Sequence, residues 1–321
     1  MPAPLIVVTR RLPQAALDIL EQAGDLWVSA EERQLEPVEL RDAVRGATAI
    51  VTLLHDAVDG DLLDAAGHSL RCVANVAVGY DNIDLGAARE RGVVVTNTPG
   101  VLTEATADLT LALLLGITRR LGEGERLIRS GAEWSWDLEF MLGSSIQGRT
   151  LGVVGLGAIG TAVARRARAF GMRIAYAGRH DAPAALVAEL DAERLELDDL
   201  LASADVVSLH LPLTAETRHL IDARRLALMK PTAVLVNAAR GPIVDEEALV
   251  AALSAKRIAG AGLDVFEHEP AVHPGLRALE NVLLLPHLGS ATVETRTAMA
   301  VLAARNAAAV VGGEPPLTPV D

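Results

Sequence analysis

Four ionisable residues of this 321-residue chain stand in segments where a run of apolar residues ends, and together they make a working chemical set. Arg240 closes Val234 to Gly241 (VLVNAARG), Asp264 and Glu269 lie in Gly262 to Pro270 (GLDVFEHEP), and His287 lies in Leu283 to Thr292 (LLLPHLGSAT). A guanidinium clamps a carboxylate, and an imidazole exchanges a proton near neutral pH. A glutamate beside that imidazole orients it and stabilises its charged form. Each residue also has a plainer reading: His287 as a core histidine bonded to a carbonyl, Arg240 as a surface cation. The apolar strands before them favour the chemical one, because ligands of open α/β sheets bind at the carboxyl ends of strands.

A glycine loop adds a second kind of chemistry. Leu151 to Gly160 (LGVVGLGAIG) spaces Gly155, Gly157 and Gly160 as GxGxxG, after an expected strand and before a helix expected over Ile159 to Phe170. The first glycine permits a tight turn, the second lets a pyrophosphate approach, and the third lets helix and strand pack. Ala158 and Ile159 open that helix, whose unpaired N–H groups and positive end can hold phosphates. The spacing alone is weak, but a further strand at Arg173 to Ala177 completes a mononucleotide-binding half. That strand ends Tyr176-Ala-Gly-Arg-His180. Gly178 stands where a carboxylate would bond the ribose 2′-hydroxyl, and Arg179 can pair with a 2′-phosphate. NADP(H) is therefore favoured, with NAD(H) as the alternative in which Arg179 is solvated and Asp181 serves the ribose.

The elements that must position these residues follow from periodicity. Short β-branched runs alternate with Ala- and Leu-rich helical segments: Leu5 to Val8, Ala49 to Leu54, Val73 to Val76 and Val93 to Thr96, then a second series from Leu151 to Val154 through Leu283 to Leu285. Such alternation means βαβ units with parallel strands. The expected fold is α/β, with two doubly wound Rossmann-like domains and an active site in the interdomain cleft. Junctions near Thr98 and Pro286 give a discontinuous substrate domain, 1–98 plus 287–321, and a dinucleotide-binding domain, 99–286. Leu109 to Ile117 reads as a buried helix, Gly122 to Gly148 as irregular, and Ser290 to Val311 as a helix returning to the first domain.

Composition limits the partners. The balance of 29 Lys plus Arg against 42 Asp plus Glu gives a formal net charge of -13, which argues against nucleic acid. No apolar run approaches the roughly 18 residues of a membrane span. Arg10 and Arg11 follow the first apolar run, the reverse of a secretory signal, so a soluble cytoplasmic protein is expected. The single cysteine, Cys72, rules out an internal disulfide or a multi-cysteine metal centre and reads as an inert core thiol. No metal site is expected.

Several ordered motifs now point the same way. Asn75 to Asp84 (NVAVGYDNID), Thr96 to Asp108 (TNTPGVLTEATAD), the glycine loop, Val207 to Leu213 (VSLHLPL) and the three segments above together resemble the D-2-hydroxyacid dehydrogenase family, and its glyoxylate/hydroxypyruvate reductase branch in particular, over essentially the whole chain. The resemblance implies a catalytic trio of Arg240, Glu269 and His287, with His287 as proton donor. It implies cofactor contacts at Pro212, Ala238 and Asp264 beside the glycine loop, and a substrate wall of Leu54, Val78 and Gly79 with Arg240 and His287. The substrate would be a small 2-oxo or 2-hydroxy acid, glyoxylate or hydroxypyruvate, and Trp134 or Trp136 would reach a neighbouring subunit's site or simply anchor an interface. The apolar helix Leu109 to Ile117 and the irregular tryptophan segment suggest a two-fold homodimer. Ala238 and Ala239 depart from the pattern, replacing hydroxyl residues before Arg240. A reductase of a sugar-derived 2-oxo acid such as 2-oxogluconate, a formate dehydrogenase and a corepressor-like binding scaffold are the rivals; Glu269 speaks against the formate branch. His210 reads as structural or cofactor-adjacent, and His219 and His273 as ordinary loop or surface residues.

Overall fold

The computed structural model describes residues 3–320. The chain divides into two compact units, Met1–Leu102 with Ala291–Asp321, and Thr103–Ser290. The first contains β1 (Leu5–Val8), α1 (Gln14–Ala23), β2 (Asp25–Val28), α2 (Pro37–Ala43), β3 (Ala49–Thr52), α3 (Gly60–Ala66), β4 (Cys72–Asn75), α4 (Leu85–Glu90) and β5 (Val94–Thr96). Its strands pair in parallel in the order β2-β1-β3-β4-β5, the flavodoxin-like doubly wound arrangement. β3 and β4 are buried along their whole length, as continuous apolar strands covered on both faces must be. Cys72 lies inside β4, where burial pushes its thiol up to about 12 and leaves it unreactive. Asp59 and Asp84 start α3 and α4 by accepting the N–H groups of Leu62 and Ala87.

The second unit runs through α5 (Thr103–Thr118), α6 (Leu121–Arg129), β6 (Thr150–Val154), α7 (Ala158–Ala169), β7 (Arg173–Ala177), α8 (Ala184–Leu190), β8 (Ala192–Arg194), α9 (Leu197–Ser203) and β9 (Val206–Leu209). It continues with α10 (Ala223–Leu228), β10 (Val234–Asn237), α11 (Glu246–Ser254), β11 (Gly260–Leu263), α12 (Pro274–Arg277) and β12 (Val282–Leu284). Seven parallel strands lie in the order β12-β11-β10-β9-β6-β7-β8. Strand order reverses between β6 and β9, and a ligand of a doubly wound sheet binds at the carboxyl ends beside that point. The chain then returns to the first unit through α13 (Val293–Gly312), which packs on α1, β3 and β4. Its tail is sewn to β5 by Val320 N–H to Val95 carbonyl and by Thr318 Oγ1 to Asn97 carbonyl, at 2.8 and 2.6 Å.

Both units are doubly wound parallel sheets. Three differences from the sequence reading have physical causes. Gly122 to Gly148 is not irregular throughout: α6 occupies its start, and none of that helix's residues is buried, so no apolar run marks it. β2 and β8 are sheet-edge strands with exposed positions, and they lack the continuous apolar signature of the inner strands. The unit boundaries fall four residues later than each expected junction, so His287 to Ser290 belong with the second unit. The cause is Asp264, whose backbone and side chain hold residues 287–289. Among the described residues no helix is long and apolar enough to cross a membrane.

The third glycine of the loop decides how closely α7 packs on β6. A Cβ at position 160 would lie 2.1 Å from the Gly155 carbonyl oxygen and 3.1 Å from Val153 Cγ1. Gly160→Ala should therefore cost about 1–3 kcal/mol of stability in urea unfolding. A parent-like midpoint with an unchanged slope would show that the helix can retreat at no cost.

Candidate active site

The imidazole and the carboxylate singled out by their sequence contexts do meet. His287 Nδ1 lies 2.8 Å from Glu269 Oε2, both side chains being mostly shielded from solvent. The other Glu269 oxygen, Oε1, accepts the Phe266 N–H at 2.9 Å, so the carboxylate is fixed by its own loop before it meets the ring. His287 has φ +54, a left-handed conformation that costs a non-glycine residue about 1–2 kcal/mol. Asp264 holds it there: its carbonyl accepts the His287 N–H at 2.8 Å, and its two carboxylate oxygens accept the N–H groups of Leu288 and Gly289 at 2.6 and 2.7 Å. The Asp264 side chain has no exposed surface, and desolvation holds its carboxyl above the usual aspartate range despite those two bonds. Asp264, expected as a cofactor contact, also supports the turn that carries His287.

Arg240 follows β10, and its backbone is set by the last residue of that strand. Asn237 is buried; its Nδ2 donates to the Arg240 carbonyl at 2.9 Å and its Oδ1 accepts the Ala239 N–H at 3.0 Å. The half-buried guanidinium donates from Nη1 to the Ala239 carbonyl at 2.9 Å. The next residue has to be glycine, because a Cβ at Gly241 would stand 1.9 Å from the backbone of Phe266. That approach presses the Arg240 segment onto the loop that ends in Glu269. Ala238 is half-buried in the same segment.

The glycine loop meets the requirements of a pyrophosphate cradle. Gly155 turns at φ +97, and a Cβ there would collide with the His210 carbonyl at 2.5 Å. Gly157 is exposed, with open space where a Cβ would stand, and caps α7 without a side-chain hydrogen bond. The amide end of α7, with Ala158, Ile159 and Gly160, is thus presented with room for a phosphate group. Gly178 is similarly unobstructed and Arg179 is exposed. Asp181, the other candidate for the ribose, is engaged instead by Arg194, with Nε 2.9 Å from Oδ1. Pro212 follows β9 on an exposed loop, its carbonyl accepting the Thr217 hydroxyl at 2.7 Å. His210, at the same strand end, bonds Ser208 Oγ through Nε2 at 2.8 Å, and burial pushes its imidazole down to about 4.

In the first unit, the loop after β4 is anchored by its carbonyls. Thr98 N–H donates to the Ala77 carbonyl at 2.9 Å, Asn97 Nδ2 to the Val78 carbonyl at 2.8 Å, and Asn75 Nδ2 to the Gly79 carbonyl at 2.9 Å. In a trans peptide the N–H points opposite to the C=O. Tying down the carbonyls of Ala77 and Val78 therefore turns the N–H groups of Val78 and Gly79 the other way. Leu54, half-buried, follows β3 beside the turn in which Asp56 accepts the Leu53 N–H and the Thr9 hydroxyl. The sequence reading missed Asn75, Asn97 and Asn237 as residues that hold the loops after β4 and β10. For Asn75 and Asn237 the available signal was an asparagine closing an apolar strand.

Other expected residues fall elsewhere. Trp134 stacks on Phe140 with ring centroids 5.9 Å apart, while Trp136 is 77% exposed. His219 and His273 are partly exposed and hydrogen-bonded: His219 Nε2 meets Glu267 Oε1 at 2.6 Å, and His273 accepts the Gly275 N–H while pairing with Glu247. A cavity of about 700 Å³ lies at the amino ends of β9, β10 and β12, lined in part by Arg120, Arg149, Asp205 and Lys256, and contains none of the expected site residues.

A sheet of this strand order, a GxGxxG cradle at its switch point and a glutamate-bonded histidine define a nicotinamide-type dehydrogenase architecture. Residues 111–289 match the model of the D-isomer specific 2-hydroxyacid dehydrogenase, NAD binding domain. The chain belongs to that family. It is 49% identical over 323 residues to a glyoxylate reductase of Thermococcus onnurineus, covering 99% of this chain and 96% of that one. Among solved structures it is similar to a glyoxylate reductase from Paecilomyes thermophila (TM-score 0.89, 36% identity, 100% and 99% covered). It is also similar to the NADPH-dependent glyoxylate/hydroxypyruvate reductase from Sinorhizobium meliloti in complex with NADP and malonate (TM-score 0.86, 39% identity, 99% and 96% covered).

The depressed His210 titration has a consequence for stability. Its folded pKa of about 4 lies below the ordinary histidine value, so between roughly pH 6.5 and 4 the unfolded chain binds the extra proton and folding weakens as pH falls. His210→Asn should flatten the decline of unfolding free energy across that window. Urea titrations at pH 7 and pH 4.5 measure it, and equal declines in parent and variant would remove His210 from the account.

Proposed function

We propose that the chain reduces a small 2-oxo acid, glyoxylate or hydroxypyruvate, to the corresponding 2-hydroxy acid, with NADPH favoured over NADH. The observation that carries this reading is the His287 Nδ1 to Glu269 Oε2 bond, at 2.8 Å, in a chain whose GxGxxG loop leaves open space beside Gly157 at the start of α7. A reduced nicotinamide held by that loop supplies the hydride. Val78 and Gly79 donate their N–H groups to the substrate carboxylate. Arg240 binds the carboxylate and the carbonyl oxygen, drawing electron density from the carbon to be reduced. With Nδ1 committed to Glu269, His287 delivers its proton from Nε2 to the oxygen that becomes the hydroxyl. Glu269 keeps the ring oriented through that bond. Asp264, by holding the turn 287–289, fixes where the ring stands.

The NADP preference rests on Gly178 and Arg179 at the end of β7, and on Asp181 being occupied by Arg194. Glyoxylate reductases among the relatives, one of them NADPH-dependent, support both the substrate and the cofactor assignment. The same proposal makes the protein a cytoplasmic homodimer. Leu121, Ile128, Trp136, Leu138 and Leu142 are all more than half exposed on α6 and the segment after it, an apolar surface of the kind a partner covers.

Initial rates with glyoxylate, hydroxypyruvate, pyruvate and 2-oxogluconate, each with NADPH and NADH, test the reading. Glyoxylate or hydroxypyruvate with NADPH should give the highest kcat/KM. A tenfold preference for NADH would end the NADP assignment, and a preference for 2-oxogluconate would move the substrate to the sugar acids. His287→Ala should lower kcat by about 10²–10⁴-fold, the usual worth of a general acid. Retention of kcat within a few fold would show that the proton comes from elsewhere.

A further inference from the structure

One guanidinium spans the turn at which a 2′-phosphate would arrive. β8 pairs in parallel with β7, and the register places Arg194 opposite Tyr176. From there Arg194 Nη2 donates to the Gly178 carbonyl at 3.2 Å, and Nε lies 2.9 Å from Asp181 Oδ1. The Tyr176 hydroxyl accepts the Ala182 N–H at 3.3 Å and closes the same turn. Gly178 brings no side chain, so Asp181 is the carboxylate of the turn, and Arg194 binds both of the turn's ends. Arg179 stands between them, exposed, with Glu216 of the loop after β9 near enough for its charge to help lower that carboxyl, whose main partner is the Thr214 hydroxyl.

We propose that the Asp181–Arg194 pair sets the cofactor ratio of this enzyme. Resting on the NADP reading above, the inference adds a specificity-determining couple that does not require Arg194 to touch the cofactor. A free Asp181 would act in two ways that favour NADH: it would accept hydrogen bonds from the ribose hydroxyls, and it would repel a phosphate carrying up to about two negative charges. Arg194 neutralises the carboxylate and ties it to the turn, so the phosphate meets Arg179 with no unpaired carboxylate in the turn itself. Arg194 is thus a positioning residue acting through Asp181.

Three variants test the couple. Arg194→Ala should lower the ratio of kcat/KM for NADPH to that for NADH roughly three- to tenfold, the loss appearing in the KM for NADPH, and the loss should shrink as ionic strength rises. Asp181→Asn in the Arg194→Ala background should return the ratio to within about twofold of the parent, because the unmasked charge is gone. A double variant as impaired as Arg194→Ala would overturn the proposal in favour of direct phosphate binding by Arg194, and an unchanged ratio in Arg194→Ala would overturn it outright. Arg179→Ala and the parent's own ratio test the underlying reading separately. If the parent prefers NADH, the NADP assignment fails, while the difference between single and double variants still reports on the pair.

Discussion

The turn that carries His287 depends on a buried carboxylate. Asp264 is sealed from solvent, and both its oxygens accept backbone N–H groups from the turn that presents His287. Two charge-assisted bonds, each worth roughly 1.5–3 kcal/mol, oppose a positive-φ strain of about 1–2 kcal/mol, so the turn can hold its conformation. The charge itself is costly: burial outweighs the two bonds and raises the Asp264 carboxyl, and an apolar residue at this position would avoid that cost. What it could not do is hold the backbone amides of Leu288 and Gly289. The left-handed backbone at His287 is a consequence of being held, and the held ring is what Glu269 can bond through Nδ1.

Asparagines do for the other loops what Asp264 does for this one. Asn237 ends β10 and fixes the carbonyl of Arg240, Asn75 ends β4 and fixes that of Gly79, and Asn97 follows β5 and fixes that of Val78. A side-chain amide offers two donors and an acceptor, so it can end a strand ladder and start a loop geometry at one position. In each case the backbone is gripped behind the functional group. The group then has its direction before any ligand arrives, which lowers the ordering cost of binding.

The inner strands were legible because helices cover both faces of a parallel sheet, and burial on both faces demands uninterrupted Val, Ile, Leu and Ala. β6 and β7 fell within a residue of their expected bounds for that reason. β2, β8 and α6 were not legible, since edge strands and an exposed helix need no continuous apolar signal. The division of units falls four residues beyond Pro286, since proline marks where a strand stops, while Asp264, more than twenty positions earlier, holds the turn that follows. Arg240, Glu269 and His287 could be picked out by residue type and by their place after apolar runs. Their roles came from resemblance, and of the side chains that hold them only Asn237, closing an apolar strand three residues before Arg240, stood where it could be read.

The two sheets have different strand orders yet carry their polar features on the same kind of edge. The first unit gathers Thr9, Asn75 and the Val78–Gly79 amides at the carboxyl ends of β1 and β4. The second gathers the glycine loop, His210, Arg240 and Asp264 at the ends of β6, β9, β10 and β11. Parallel strands make this an efficient arrangement, because each one delivers its last residue and the start of the following loop to the same side. The amino edge of the second sheet, by contrast, opens on a cavity whose residues belong to none of these loops. Changes to the loops on the carboxyl side can alter cofactor or substrate while the strands beneath remain buried. The glycine at 178, where the dinucleotide pattern calls for a carboxylate, is such a change, and it leaves β7 buried beneath it.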